Sequence, residues 1–422
     1  MSDRLRFIDL FCGIGGFHVA MKSLGAECVF ASDIDASCRE TYSNNHGLMP
    51  AGDITKVAAE QIPPFDVLCA GFPCQAFSIA GHKLGMQETR GTLFFEIARI
   101  AQHHRPRWMI LENVKNLAGH DGGRTWRVIH KTLDDMGYSV DPRPVIFSPH
   151  RMGIPQNRER FFILCQRKDL GPVPTFDYKS QPVECSIDDV LLDESEIPDR
   201  QRYEIPRDKV ELIELWNAFV KGLNEPPPGH PIDASRFAEP PTDEELAAMP
   251  DWKRVDVTKN MQLYARNKSF VDSWLSRAAS VGAFRGSRRS LEWGASKEDP
   301  NIWDCLMQYR QSGLRVKRAN YFPTLVAINQ TSIVGPRRRY VTPRECARMQ
   351  SFPDDFKLHP TDALAYKQLG NSVNVEVVRM FAKFLIFRDR FDPADYGLEW
   401  IGERGEQPRG PRAGRGAELT GA

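Results

Sequence analysis

The stretch that decides the fold is DVLCAGFPCQ, residues 66–75. Its apolar start is typical of a strand that is buried on both faces, as in a parallel sheet. Gly71 permits an abrupt turn, and Pro73 restricts the backbone just before Cys74. The pattern predicts that Cys74 lies at the carboxyl end of this strand, where open α/β sheets bind their ligands. A single cysteine is more often an inert packed thiol, so the residues around it decide its significance.

Upstream, a strand candidate over 6–11 leads into the glycine-rich segment 12–17, CGIGGF, and then into a helical pattern. Glycines between a strand and a helix let the backbone approach a ligand closely. The dinucleotide fingerprint Gly-x-Gly-x-x-Gly fails here because its third glycine is replaced by His18. The same geometry serves S-adenosylmethionine, which has a ribose and an adenine but no pyrophosphate.

Two acids that suit such a nucleoside follow the glycine-rich segment. A strand candidate over 28–32 ends at Asp33, whose carboxylate can accept hydrogen bonds from a ribose diol. Further on, Asp53 stands beside the apolar Ile54. This pair suits the exocyclic amine and the ring face of an adenine.

Downstream of Cys74, residues 77–91 contain three glycines and three basic or imidazole side chains. That composition is typical of a loop that closes over a polyanion, and equally of a plain surface loop. After a helical pattern over 93–100, another apolar strand candidate, 108–111, is followed by Glu112. We expect Glu112 at the same sheet edge as Cys74, as a candidate general acid. Without the thiol it would be interpreted as a solvated or helix-starting residue.

Arginines form two further features. In the segment 153–160, GIPQNRER, Arg158 and Arg160 lie at i and i+2 and point the same way on an extended backbone. They suit a phosphate or a base carbonyl, although arginines beside an acid also form surface ion pairs. The basic run 337–339 precedes a helix that Thr342 is predicted to cap, and we expect this run to make nucleic-acid affinity depend on salt.

Two more features concern the ends of the chain. The segment 370–373, GNSV, precedes an apolar helical pattern that runs to residue 387. This order predicts that Asn371 and Ser372 start that helix, either as plain caps or as cofactor contacts. Glycines and arginines dominate the last twenty residues, which favours disorder.

The regular alternation of strands and helices stops near residue 168, and proline clusters follow. Residues 169–251 hold 7 Lys and Arg against 20 Asp and Glu, whereas residues 253–320 hold 14 against 6. On a chain of net charge +1, such a basic segment fits a nucleic-acid-facing surface as well as an ordinary solvated face. We expect domain segments at 1–168, 169–322 and 323–400, the first and last belonging to one domain, and a disordered tail at 401–422.

Composition narrows the class of protein. The 422 residues contain no apolar, uncharged stretch of about 18 or more, and the start, MSDR, lacks the order of a signal peptide. We therefore expect a cytoplasmic protein with no membrane association. Nine cysteines, none in a Cys-x-x-Cys pair, predict reduced thiols and no metal site.

A thiol, a carboxylic acid and two arginines beside an adenosine pocket suit one difficult reaction, the methylation of cytosine at carbon 5. Attack of the Cys74 thiolate on C6 would make C5 nucleophilic enough to take the methyl group. Glu112 at N3 would stabilise the adduct. The base must be flipped out, because its ring is not accessible within a duplex.

In its motifs and their order, the chain resembles the DNA (cytosine-5)-methyltransferases of bacterial type II restriction-modification systems. The matching blocks lie at 11–15 (Phe-x-Gly-x-Gly), 73–75 (Pro-Cys-Gln), 90–95 (Arg-Gly-Thr-Leu-Phe-Phe), 112–114 (Glu-Asn-Val), 156–160 (Gln-x-Arg-x-Arg), 342–345 (Thr-Pro-Arg-Glu) and 370–373 (Gly-Asn-Ser-Val). The resemblance implies an α/β fold, with a Rossmann-like S-adenosylmethionine-dependent methyltransferase domain and a second, smaller target recognition domain at 169–322. It implies double-stranded DNA as substrate and, within such a system, a cognate endonuclease. One active site with its own recognition domain needs no symmetry partner, so we expect a monomer.

The resemblance also implies roles for individual residues. Cys74 is the nucleophile, Glu112 the partner of N3, and Arg158 and Arg160 support the flipped base. The implied cofactor contacts are Phe11, Gly13, Gly15, Asp33, Asp53, Ile54, Leu93, Asn371 and Ser372. The implied DNA contacts are Gln75, Ser78, Arg90 and Thr324.

Three alternatives share some of these features. An RNA-methylating relative carries the same motifs, but the long middle region favours DNA, since reading a duplex sequence needs a substantial separate domain. An inactive DNA-binding module of this fold is disfavoured by the intact Cys74, Glu112, Arg158 and Arg160. A nicotinamide dehydrogenase is disfavoured by His18 and by the missing pyrophosphate loop.

Overall fold

The computed structural model describes residues 4–73, 93–181, 183–238, 240–325 and 331–401. The chain divides into two compact units. The first unit comprises the residues up to Cys185 and those from Ala347 onward, and the second is Ser186–Cys346. Both divisions come later in the chain than the expected boundaries at 168 and 322. The expected loop 77–91 and all but the first residue of the expected tail lie outside the described residues.

The N-terminal part of the first unit alternates strands and helices. Its described strands are β1 Arg6–Leu10, β2 Glu27–Ser32, β3 Val67–Gly71, β4 Trp108–Val114, β5 Tyr138–Val140, β6 Val145–Phe147, β7 Arg160–Arg167 and β8 Tyr178–Ser180. Its described α-helices are α1 Gly16–Ser23, α2 Ala36–His46, α3 Leu93–His104, α4 Asn116–Gly119 and α5 Arg124–Asp135.

Within the described ranges, β1 to β7 form one mixed sheet. Its order is β2-β1-β3-β4-β7-β5, with β6 also paired to β7. The pairs among β2, β1, β3 and β4 are parallel, and β7 runs antiparallel to its neighbours. The apolar run predicted around residues 67–71 is therefore a parallel strand between β1 and β4, as expected from its continuous hydrophobicity.

The second unit has its own sheet and helices. Its described elements are α6 Arg207–Gly222, β9 Ile232–Asp233, α7 Ser235–Ala238, α8 Asp243–Ala248, α9 Asp251–Arg266, α10 Lys268–Ala278, β10 Ser290–Gly294, β11 Cys305–Arg310, β12 Gly313–Arg318, β13 Ile333–Val334 and β14 Arg339–Tyr340, followed by α11 Pro343–Met349, in which the chain returns to the first unit. The sheet order among these is β14-β13-β11-β12-β10-β9. Because β13 and β14 pair into this sheet, the second unit extends past residue 322.

The C-terminal part completes the first unit with α12 Asp362–Asn371, α13 Val375–Leu385 and β15 Leu398–Trp400. Phe381 of α13 packs on Phe162 of β7, with ring centroids 4.5 Å apart. The opposite face of the sheet is covered by α3 and α5, whose apolar side chains share one core with β1, β3 and β4. Strand β15 pairs with β8, which keeps residues 169–185 in the first unit.

Three local predictions meet different outcomes. The Thr342 cap is confirmed, since its Oγ1 accepts a hydrogen bond from the Glu345 N–H at 3.2 Å. The predicted helix start at Asn371 and Ser372 is wrong: Asn371 is the last residue of α12, and the Asn374 side chain caps α13. The strand expected to end at residue 111 continues through Glu112 to Val114, because β7 pairs with it along its whole length.

None of the described helices combines the length and the apolar composition needed to cross a membrane.

Candidate active site

A cleft of about 450 Å³ opens in the first unit beyond the carboxyl ends of β1 to β4. This is the sheet edge at which α/β proteins bind ligands. Ten of the residues predicted from the sequence line it: Phe11, Gly13, Asp33, Asp53, Ile54, Leu93, Glu112, Arg158, Arg160 and Asn371. The cleft therefore unites residues that are up to 360 positions apart in the chain.

The end of the cleft at β4 is built around Glu112. This carboxyl group is buried near the end of β4, and its Oε1 lies 3.1 Å from Arg160 Nε. Burial raises the pKa of Glu112, while the positive charges of Arg160 and Arg158 oppose the shift. A carboxyl group with a raised pKa retains its proton to a higher pH and can act as an acid.

Arg158 is fixed differently from Arg160. It is 2% exposed, and its Nη2 donates hydrogen bonds to the carbonyl oxygens of Gly370 at 2.9 Å and Ser372 at 2.7 Å. The guanidinium thus holds the backbone on both sides of Asn371, which lines the cleft. Sequence spacing predicted that both arginines lie on one side of the segment, and both do line the cleft.

The backbone that leads to Cys74 is anchored to the same strand as Glu112. Gly71 of β3 pairs in register with Glu112 of β4, and Asn113 Nδ2 donates a 2.8 Å hydrogen bond to the carbonyl oxygen of Phe72. Pro73 lines the cleft, and Cys74, the next residue, lies outside the described residues. Phe72, two residues before Cys74, is thus held against the strand that carries Glu112.

At the other end of the cleft, hydrogen bonds hold the carboxylates of Asp33 and Asp53 in fixed orientations. Asp33 accepts hydrogen bonds from the backbone N–H groups of Gly13 and Asp35, both at 2.8 Å. Burial raises the pKa of Asp33, and these hydrogen bonds oppose the shift. Asp53 accepts from the Thr55 hydroxyl at 2.7 Å and from the Thr55 N–H at 3.0 Å, which lowers its pKa. The carboxylates are therefore held in place before any ligand arrives.

Comparison with known proteins identifies the family of the chain that carries this site. The model of the family described as C-5 cytosine-specific DNA methylase matches residues 5–386. The chain belongs to this family. It is a DNA cytosine-5-methyltransferase, as the resemblance of its motifs implied.

Similar proteins include two type II methyltransferases. M.AluI of Cellulosimicrobium cellulans is 33% identical, with the match covering 92% of this chain and 93% of that protein. M.HhaI of Haemophilus parahaemolyticus is 34% identical, covering 90% and 93%. Among solved structures, the S. pombe Dnmt2 methyltransferase shares the fold, with a TM-score of 0.50 at 19% identity over 92% of this chain and all of that one.

Two cofactor residues predicted for the methylase do not line its cleft. Gly15 has a φ of 92°, and a Cβ there would lie 2.2 Å from Nε2 of His46. Ser372 is buried, and its hydroxyl would lie 2.9 Å from a Cβ added at Gly16. These positions let α1 pack closely on its neighbours, whereas Gly13 has open space around it and faces the cleft.

The structure adds cleft residues of the methylase that the sequence did not single out. Lys367 Nζ lies 2.8 Å from Asp35 Oδ2, and both residues line the cleft beside Ile34 and Cys38. The hydrogen bond from Lys367 lowers the pKa of Asp35, which also caps α2 by accepting from the N–H groups of Ser37 and Cys38. The acidic pair at 33 and 35 was the available signal, because two acids this close to a helix start suggest one cap and one ligand contact.

The residues predicted to contact DNA are mostly outside the described chain. Gln75, Ser78 and Arg90 fall within 74–92. Thr324 is described as half-buried in the second unit and is not part of the cleft. Within the described ranges, His, Cys, Asp and Glu side chains form no group of three or more suited to a metal ion.

The basic run 337–339 does not provide three free cations. Arg339 is fully buried, with Nη2 2.7 Å from Glu345 Oε1 and Nε 2.9 Å from Glu194 Oε1. Arg337 pairs with Asp188 at 3.1 Å, and Arg338 lies 4.3 Å above the ring of Trp303. The expected contribution of this run to salt-dependent binding is therefore wrong for Arg339, which is part of the interior of the second unit.

Proposed function

We propose that this methylase transfers a methyl group from S-adenosylmethionine to C5 of a cytosine flipped out of a short, specific duplex sequence, through a covalent bond between Cys74 and C6. The position of Glu112 carries the proposal. A buried carboxyl group 3.1 Å from Arg160 stands at the end of the strand that pairs with the Cys74 strand. Its cleft ends in acids oriented for a nucleoside.

The cleft fits the proposed methyl donor. The open space at Gly13 provides room for a ligand against the backbone, and the fixed carboxylate of Asp33 provides acceptors for a ribose diol. Ile54, 3% exposed at the cleft wall, offers an apolar surface for an adenine ring, with Asp53 beside it for the exocyclic amine. S-adenosylmethionine, when bound, supplies an electrophilic methyl group. Phe11, Leu93 and Asn371 complete the proposed contacts.

Cys74 and the residues at the β4 end of the cleft perform the remaining steps. The Cys74 thiolate forms a bond to C6 of the cytosine, and the electron pair of the C5–C6 bond becomes available at C5. Glu112 hydrogen-bonds N3 and shares its proton, which stabilises the charge that develops on the ring. Arg160 donates to the base oxygen. After C5 has gained the methyl group, a solvent water takes the C5 proton, and the electrons of that C–H bond re-form the double bond and expel Cys74 as thiolate.

We assign target recognition to the second unit, Ser186–Cys346. The assignment follows from its independent core and sheet, since sequence readout needs a surface separate from the chemistry. The biological role that fits is protection of DNA in a type II restriction-modification system by a monomeric enzyme. A cognate endonuclease would cut the same sequence.

The test is incubation of the full chain with tritiated S-adenosylmethionine and duplex DNA of mixed sequence, followed by sequencing for 5-methylcytosine. We expect methylation confined to one short motif. Incorporation into tRNA without incorporation into DNA would overturn the proposal. NADH binding in place of S-adenosylmethionine binding would overturn the cofactor assignment.

The covalent step has its own test. A target duplex with 5-fluorocytosine at the methylated position cannot lose its C5 substituent, so the Cys74 adduct should accumulate as a denaturation-resistant complex. Cys74→Ser should retain S-adenosylmethionine binding, form no complex and lose roughly 10² or more in turnover. Cys185→Ser, at a half-buried thiol outside the cleft, is the control. Near-normal turnover of Cys74→Ser would refute the covalent mechanism.

A further inference from the structure

The sheet of the second unit has two unlike faces. On one face, apolar side chains of β10, β11 and β12 share a core with α6 and α10. Successive side chains of a strand point to opposite faces, so the residues that alternate with this core lie on the other side. We name the group Arg310, Arg315, Lys317 and Glu292 the cationic face. Strand pairing places Glu292 directly beside Arg315.

Positive charge on the cationic face exceeds the negative charge that the described residues bring to it. Arg315 Nε lies 3.6 Å from Glu292 Oε2. Arg310 donates from Nη2 to the neutral amide oxygen of Gln308 at 2.9 Å. Within the described ranges, Lys317 has no ion pair. Three cations therefore share one carboxylate.

These cations are also partly withdrawn from water. Arg310, Arg315 and Lys317 are all half-buried, and Arg310 Nε is buried with no hydrogen-bond partner in the described structure. Burial lowers the pKa of Lys317 and of Arg310, and the charge of Arg315 lowers both further. Holding like charges together in this way costs stability, and an anion on the face would offset that cost.

The shape of the region suits duplex DNA as the anion. The antiparallel hairpin of β11 and β12 lies in the middle of the six-stranded sheet, between β13 and β10. Its turn, Gln311 and Ser312, is exposed, and Arg310 stands beside that turn, paired with Gly313. An exposed turn that carries an arginine can reach base edges in the major groove, where each base pair presents a distinct pattern of donors and acceptors.

We infer that the cationic face is the DNA-reading surface of the second unit, that Arg310 recognises a guanine and that Lys317 contacts a phosphate. The inference rests on the proposed function. Gln308 fixes the guanidinium of Arg310 without neutralising it, which leaves a planar, charged fork for O6 and N7 of guanine. The ammonium of Lys317 has no such directionality and suits a phosphate.

The experiment compares five variants of the full chain on the wild-type target duplex. Arg310→Gln, Arg310→Lys and Lys317→Met change the face. Arg277→Gln and Lys221→Met are matched controls, because both side chains are exposed on the helices that cover the opposite side of the sheet. For each variant we would measure the Kd for the duplex as a function of salt, the Kd for S-adenosylmethionine, the melting temperature and the distribution of methylated sequences.

Arg310→Gln should weaken binding of the target roughly ten- to hundredfold and relax the choice of base at one guanine position. Lys317→Met should weaken binding to all sequences alike and lower the salt slope by about 1. Arg310→Lys, which keeps the charge and loses the fork, should relax the same position with the salt slope retained. S-adenosylmethionine binding should not change.

Two failures can be told apart. Arg310 variants with an unchanged site preference would overturn the inference while leaving the methylase activity in place. If the wild-type chain methylates no DNA at all, the proposed function itself is wrong.

Discussion

The cleft of the first unit and the cationic face of the second both contain arginines, but the partners that bind the guanidinium groups differ. In the cleft, Arg160 has Glu112 at 3.1 Å and Arg158 has two backbone carbonyls. On the cationic face, Arg310 has only a neutral amide for its one hydrogen bond in the described structure. Guanidinium groups that acceptors hold in place suit the precise support of one base. Guanidinium groups without a carboxylate partner suit the binding of a polyanion, whose negative charge compensates theirs.

Arg339 extends the comparison to a third environment. It lies in the same unit as the cationic face, yet Glu345 and Glu194 bind it and solvent does not reach it. Arginine content alone therefore does not locate a DNA contact. The decisive quantity is the number of acceptors around each guanidinium.

The largest effect is expected from Glu112→Gln. An amide retains the shape but cannot share a proton with the base, so turnover should fall by roughly 10²–10⁴, with S-adenosylmethionine binding retained. Initial rates would measure the turnover, and calorimetry would measure the binding of S-adenosylmethionine. Glu159→Gln is the matched control, because Glu159 pairs with Lys115 at 2.8 Å outside the cleft. Turnover of Glu112→Gln within tenfold of the wild type would show that the cleft arginines, and not the acid, dominate the chemistry.

Arg339→Met should cost the most stability. It leaves the fully buried Glu345 carboxylate without its guanidinium, and removing one partner of such a pair costs about 3–5 kcal/mol. Urea denaturation would measure the loss. Arg337→Met, at a half-exposed pair with Asp188, should change the free energy of unfolding by about 0–1 kcal/mol. Equal effects of the two variants would contradict the distinction between an interior and a surface arginine.

Arg158→Lys tests whether that arginine serves the cofactor or the base. An ammonium cannot reproduce the hydrogen bonds to both Gly370 and Ser372, and such charged hydrogen bonds are worth about 1.5–3 kcal/mol. The Kd for S-adenosylmethionine without DNA should therefore rise roughly tenfold or more. Arg151→Lys, at an exposed arginine, is the control. An unchanged Kd with a raised KM for DNA would assign Arg158 to the base instead.

The smallest effect is expected in the pH dependence of kcat/KM, for the variant Arg160→Gln. The charge of Arg160 lowers the pKa of Glu112 against the effect of burial. In Arg160→Gln that opposition is weaker, so the pKa of Glu112 should rise and the limb of the kcat/KM profile that it governs should move to higher pH. Lys115→Met, which removes a cation bound to Glu159, should leave the limb in place. A shift to lower pH would show that another group governs it.

The sequence predicted those parts of the site in which a functional residue directly follows a strand in the chain. Asp33 and Glu112 each follow an apolar run, so their strand and edge could be inferred from periodicity. Packing between distant elements could not be inferred. Gly15 is required by His46 in α2, and Asn371 ends α12 where the pattern predicted a start.

The second unit shows the same limit more strongly. Its cationic face combines the pairing of β11 with β12, which gathers Arg310, Arg315 and Lys317, with the parallel pairing of β10, which sets Glu292 beside Arg315. Neither Glu292 nor Arg315 belongs to a motif, whereas Arg339 ends the basic run that precedes the 342–345 block. The environments of the two arginines differ because the fold brings one carboxylate to Arg315, Glu292 at 3.6 Å, and two to Arg339, Glu345 at 2.7 Å and Glu194 at 2.9 Å.

The hydrogen bond from Asn113 to the Phe72 carbonyl has a consequence for how such enzymes diversify. Glu112 and Asn113, which holds the Phe72 backbone, are consecutive residues of β4, so the register of β3 and β4 sets the spacing between Glu112 and the end of β3. An insertion or deletion in either strand would displace both groups together. Evolution is then free to change residues elsewhere in the chain, including those that choose a sequence, without readjusting the spacing on which the chemistry depends.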